Sequence, residues 1–353
     1  MNRSEGKAGS PVDAAKAAHP HVNDEWLSRH DEPVIEPDRR IVDPHHHLWN
    51  RPGMEYEAPA LLADLQSGHD IRATVFVQCR SRYRDSGPEE LRPIGETEYV
   101  VDAAEAVDRA DPSRRACAGI VGYADMRLGA AVQPVLEAHL QAGGGRFRGI
   151  RHSAAWSDDP VIFNPELGAV EHMLRMPAFQ AGVDCVGRMG LSFDAWVYHP
   201  QIPDVAALAR ACPDTMIVLD HAGGPLGIGR FAADTAAVYR DWRRDMAGLA
   251  TCPNVVVKLG GLAMRISGHH FHQQPAPPDS QALATAWRPY VEFCIEAFGA
   301  DRCMFESNFP VDKASCSYRV LWNAFKRLAA GCSEPEKTAL FESTASRVYR
   351  LSV

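Results

Sequence analysis

The chain has 353 residues, 46% of them hydrophobic, and a formal charge of −8. That is enough apolar material for a large core, and α/β barrels commonly reach this length as one domain. There is no basic run to engage phosphates and no apolar stretch approaching the roughly 18–20 residues of a membrane span, so neither nucleic acid nor a membrane is an expected partner. The polar N-terminus lacks the apolar core of a secretory signal. Nine scattered cysteines, odd in number and with no C-x-x-C pair, read as the reduced thiols of a cytoplasmic protein.

Residues 1–38 are rich in Asp, Glu, His, Pro and Ala without a clear period, and read as an N-terminal extension, mobile or laid across the body. From residue 39 to 353 short apolar runs alternate with amphipathic stretches. The runs are 41–47, 71–79, 116–124, 147–152, 191–197, 216–221, 255–259 and 302–305. Helical patterns lie between them, as at 96–109, 131–142, 204–211, 231–250 and 283–298. Eight strands alternating with helices predict an α/β fold, a (β/α)8 TIM barrel. An open doubly wound sheet is the rival, but no G-x-G-x-x-G opens a helix.

Long connections follow the second, fourth and seventh strands, at residues 80–95, 153–173 and 260–280. In a barrel these leave the carboxyl ends of strands, where loops shape a substrate pocket. Polar residues gather at the same ends. In Ile-Val-Asp-Pro-His-His-His-Leu-Trp, His45 and His47 stand two apart, so on a strand they project together while His46 turns away. Gln78 ends the second strand, and Arg148, Arg151 and His152 belong to the fourth. Tyr198 and His199 follow the fifth, Asp220 and His221 the sixth, and Lys258 lies on the seventh. Glu306, Asn308 and Asp312 follow the eighth.

Four segments in barrel order resemble one family: Asp43-x-His45-x-His47-x-Trp49, Leu219-Asp220-His221-x-Gly-x-Pro, Lys258-Leu-Gly-Gly-Leu and Phe305-Glu-Ser-Asn-Phe-Pro. They are similar to motifs of the amidohydrolase-related superfamily, in the branch of sugar lactonases, pyrone-dicarboxylate lactonase and sulfomuconolactone hydrolase. The resemblance covers about residues 40–350. It implies a hydrolase that opens the ester bond of a small anionic or polyhydroxylated lactone, with chemistry on His45, His47, His221 and the acid of the eighth strand. Here that acid is an amide, Asn308, which is no general base. Glu306, which shares its face on a strand, and Asp312 are the carboxylates nearby. His45, His47 and His221 are also the ligands expected for one divalent metal, zinc first because the donors are imidazoles, although the branch includes members that work without one. Arg151 is expected to clamp a substrate carboxylate, with Arg148, Tyr198, His199 and Trp49 as further substrate contacts. A metal-dependent decarboxylase and a non-catalytic binding protein are the alternatives. Nothing in the sequence fixes an oligomeric state, which leaves a homo-oligomer open.

Overall fold

In the computed structural model, residues 20–51 and 54–352 are described. Eight parallel strands form the sheet in sequence order. They are β1 (Arg40–His46), β2 (Asp70–Val77), β3 (Arg115–Gly122), β4 (Phe147–Arg151), β5 (Ser192–Ala195), β6 (Ile217–Leu219), β7 (Val255–Leu259) and β8 (Cys303–Phe305). A helix follows each: α1 (Ala58–Leu65), α2 (Ile94–Ala110), α3 (Gln133–Ala142), α4 (Pro177–Arg188), α5 (Ile202–Ala211), α6 (Thr235–Ala250), α7 (Ser280–Phe298) and α8 (Tyr318–Leu328). The ring closes just beyond β8. His47 N donates to Phe309 O at 2.7 Å and Asn308 N donates to His45 O at 2.9 Å, with a parallel bridge between His46 and Phe309. This is the expected (β/α)8 barrel.

Alternation along the strands sorts the residues into two layers. Ile217 and Leu219, Val255, Val257 and Leu259, and Cys303 and Phe305 belong to the large cluster shared with the helices. Val218, Val256 and Met304 fall in a second cluster inside the barrel, with Ala345, Val348 and Tyr349 of the C-terminal helix Thr344–Val348 and the residue after it packed against them. Two residues further along each of these three strands stand Asp220, Lys258 and Glu306, so strand parity aims all three inward.

The described part of the extension lies across the body. Asn323 on α8 donates to Glu32 Oε1 at 2.7 Å and to Pro33 O at 2.9 Å, and Trp26 Nε1 donates to Gln274 O at 2.9 Å. Residues 1–19 of the expected extension lie outside the described residues. Among the described residues no helix is long and apolar enough to cross a membrane.

Candidate active site

The carboxyl ends of the strands converge on a buried cluster. Glu306 carries no solvent exposure and receives two imidazoles. His221 Nδ1 donates to Oε1 at 2.6 Å, and His45 Nδ1 lies 2.7 Å from Oε2. The backbone N–H of His221 also donates to Oε1 at 3.1 Å. Burial pushes this carboxyl up, but its close contacts with His221 and His45 outweigh that and hold it down at about 2. Glu306 is therefore an anion that fixes both rings with their Nδ1 protons toward it.

His45 is the hub. Its ring centroid lies 4.9 Å from that of His47 and 4.6 Å from that of His221. With Nδ1–H turned to Glu306, Nε2 accepts from Arg151 at 3.3 Å. Burial and then the Lys258 charge push its pKa down to about 4, so it is neutral at neutral pH. His47 Nδ1 donates to Val77 O at 2.7 Å, which leaves Nε2 as its unprotonated nitrogen, and its ring stacks on Trp49 at 5.6 Å. His46 turns away as expected, to Thr74 Oγ1 at 2.7 Å. The backbone of His221 has φ +56°, and a Cβ on Gly261 would stand 2.5 Å from its ring, so only glycine fits there.

Beneath the histidines, Lys258 Nζ donates to Asp194 Oδ2 at 2.7 Å and lies 3.1 Å from Asp220 Oδ1, with all three side chains fully buried. Tyr349 OH also donates to Asp194 Oδ2, at 2.7 Å. These two carboxylates hold the Lys258 ammonium charged, against the opposing pull of burial. Asp43 joins β1 to the segment after β8, accepting from Ser307 N and Tyr318 OH, each at 2.9 Å. It braces the strand rather than reaching the histidine rings.

A cavity of about 340 Å³ opens above this floor. His47, His221, Arg151, Trp49, Tyr198 and Asn308 line it, so these expected site residues come together. So do parts of the three long loops, at Arg80, 160–167 and 264–266. His45, Glu306 and Asp312 lie beneath the surface and do not line it. Arg148 and His199 are placed elsewhere. Arg148 sits early on β4 and donates to Gly145 O at 2.7 Å, and His199 Nδ1 accepts from Leu226 N at 3.3 Å while its ring packs on Phe231. Five contributors stand outside the expected site residues: Asp194, Arg51, Arg80, Trp196 and Arg265. Only Asp194 left a signal, because a lysine on a buried strand demands a carboxylate partner, which here reaches it from β5, two strands away across the barrel interior.

Metal-ligating atoms of His45, His221 and Asp220 lie within 4.8 Å of one another, a donor set that suits a borderline dication. Asp220, not His47, is the third member. The donor chemistry fits, but internal cations already stand at two of the ligands. Lys258 is 3.1 Å from Asp220 Oδ1, and Arg151 is 3.4 Å from Asp220 Oδ2 and 3.3 Å from His45 Nε2.

The amidohydrolase family model matches residues 42–351. The uncharacterised protein y4mH of Sinorhizobium fredii is 33% identical over 334 residues, covering 89% of this chain and 99% of that protein. An L-fucono-1,5-lactonase of Burkholderia multivorans is 27% identical over 328 residues, covering 88% and 96%. Two crystal forms of a Burkholderia multivorans amidohydrolase, one with bound HEPES and one with bound zinc, superpose with a TM-score of 0.68 at 25% and 24% identity, covering 88% of this chain and 99% of the other. The chain is thus a hydrolase of the amidohydrolase family, in the branch that holds the lactonases.

Proposed function

We propose that the protein opens the ester bond of a small lactone by water attack at the His221–Glu306 pair. The observation that carries this reading is the 2.6 Å bond from His221 Nδ1 to a fully buried carboxylate. It leaves Nε2 as the unprotonated nitrogen of a ring that lines the cavity, and a base oriented by a buried acid is the arrangement general-base hydrolysis needs. The lactonase relative supports the same bond type.

In this mechanism His221 Nε2 takes a proton from water as the water oxygen adds to the lactone carbonyl. The Arg151 guanidinium, buried at the cavity wall, stabilises the oxyanion. Collapse breaks the ring C–O bond, and the imidazolium returns its proton to the leaving alkoxide. The product is the open hydroxy acid. Glu306 stays ionised and steadies the imidazolium, while neutral His45 keeps Glu306 and Arg151 in register. With a divalent ion held by His45, His221 and Asp220, zinc by donor type, the His221 Nε2 lone pair would be a ligand instead of the base, and the ion would supply carbonyl polarisation and a bound water of lowered pKa in its place.

A pH-indicator assay over sugar, alkyl and aryl lactones, with carbon dioxide monitored in parallel, tests the reading. Saturable acid release without carbon dioxide is expected. Carbon dioxide release from a carboxylated substrate with no ring opening would replace lactone hydrolysis by decarboxylation.

A further inference from the structure

Four arginines meet at one cavity in a chain whose net charge is −8. Arg51, Arg80, Arg151 and Arg265 all line it, and the one carboxylate among the lining residues is Glu166, exposed at the rim. Arg151 pairs with Asp220 at 3.4 Å. The other three have no ion pair among the described residues. Each instead donates one N–H to a backbone carbonyl: Arg51 to Cys79 O at 2.9 Å, Arg80 to Leu167 O at 3.1 Å, and Arg265 to Val161 O at 3.3 Å. Arg51 also lies over the Trp49 ring, 4.9 Å from its centroid. Such bonds hold a guanidinium in place while leaving most of its five donors unused, the condition for bidentate capture of a carboxylate.

The remaining wall is apolar. Trp49, Trp196, Tyr198, Ile162, Met264 and Ile266 face the same space, and Trp196 meets Tyr198 edge-on at 5.7 Å. A hydroxyl-rich guest would need a partner for every hydroxyl it buries, or lose the hydration each gives up. Donors are plentiful, because the three arginines keep unused N–H groups; acceptors for a hydroxyl proton are the scarcer kind. Among the described lining residues, Gln78 Oε1 and Ser153 Oγ are buried with no hydrogen-bond partner. The Asn308 amide donates to Asp312, and Asn164 Oδ1 accepts from Glu166 N. These oxygens and the Nε2 atoms of His47 and His221 are the acceptors of an arginine-lined space, so the lining is matched to a guest that brings acceptors in preference to one that brings many hydroxyl protons.

We propose that the substrate is a lactone bearing a carboxylate and a bulky apolar or aromatic substituent, and not a polyhydroxylated sugar lactone. The carboxylate meets the unpaired arginines, and the substituent packs against the tryptophans. This rests on the lactone reading above and narrows it.

The test uses phenylparaconate (a phenyl-substituted γ-butyrolactone carboxylate), its neutral carboxamide, paraconate without the phenyl group, and glucono-δ-lactone. Hydrolysis is measured for all four. Binding of the phenylparaconate lactam, in which an amide replaces the ester, and of that lactam's carboxamide is measured separately by calorimetry. Phenylparaconate is expected to exceed each other compound in kcat/KM by about tenfold or more, and the lactam carboxylate to bind about tenfold tighter than its carboxamide. Arg265→Met and Arg51→Met should each raise KM for phenylparaconate about tenfold and leave that of the carboxamide in place. Glucono-δ-lactone turning over as well as phenylparaconate, or equal binding of the two lactams, would overturn the substrate class whether or not hydrolysis is seen. Selective lactam binding with no hydrolysis of any lactone would keep the ligand class and remove the lactonase reading.

Discussion

Asn308 and Asp312 account for one another. The amide nitrogen donates to Asp312 Oδ1 at 3.0 Å, and burial pushes that carboxyl up to about 7. A second acid at 308 would set two buried carboxyls in contact, so the residue that departs from the family motif is the one its neighbour requires. The carboxylate that both imidazoles face stands instead at Glu306, one strand period earlier. Glu306→Gln keeps a single acceptor for two imidazole N–H groups and cannot balance an imidazolium. It is expected to lower kcat by about 10²–10⁴-fold with KM little changed. Steady-state kinetics on a hydrolysed lactone checks this, and a KM effect alone would contradict it. Lys258 has a different task. Lys258→Met leaves Asp194 and Asp220 buried without their shared cation, and should cost about 3–5 kcal/mol in denaturant unfolding. A loss below about 1 kcal/mol would mean that the pair is held by other groups.

At the scale of elements, strands were the most legible part of the sequence and loops the least. All eight apolar runs correspond to barrel strands, because a strand buried on both faces leaves a continuous apolar signature. His45, His47, His221 and Arg151 were readable because a polar residue at the end of such a run has no packing reason to be there. Arg148 and His199 carried the same signal and were misleading. Arg148 leaves β4 too early to reach the cavity, and His199 lies on the short turn before α5, where its ring packs on a neighbouring loop. Arg80 and Arg265 reach the cavity from loops, and Arg51 from a short strand, Trp49–Arg51, paired antiparallel with Met54–Tyr56; no periodicity reports the course of these segments. Glu96, on the first turn of α2, illustrates how a loop is held. Its Oε1 accepts from Cys79 N at 3.0 Å and Ser81 N at 2.7 Å, while Oε2 is buried with no partner among the described residues. Burial pushes its pKa up from 4.5 to about 7. The folded state therefore holds this proton more tightly than the unfolded chain does. Its stabilisation is complete below pH 4.5 and is lost as pH rises through 7. Glu96→Gln keeps both bonds through its carbonyl oxygen and removes the titration. It should match the wild type at pH 4.5 and exceed it at pH 8.5 by of order 1–3 kcal/mol in chemical denaturation. The same difference at both pH values would contradict the assignment.

Across the whole molecule, barrel closure is what makes the site. β1 and the segment after β8 are far apart in sequence, and Asp43, Ser307 and the backbone bonds of His47 and Asn308 join them where the histidines stand. Closure brings Glu306 within 2.7 Å of both His45 and His221. No local pattern contains that distance; it follows once eight parallel strands form a ring and inward parity is read along each. The charge of the molecule is divided in the same way, acidic overall and basic around the cavity. The central claim is that His221, oriented by Glu306, activates water against a lactone carbonyl. The most direct measurement compares wild type and His221→Asn in a continuous lactone-hydrolysis assay, with thermal unfolding to confirm that both are folded. Saturable ring opening by the wild type and a loss of about 100-fold or more in kcat for the folded variant are expected. Equal turnover by the two proteins, or no ring opening by either, would contradict the claim.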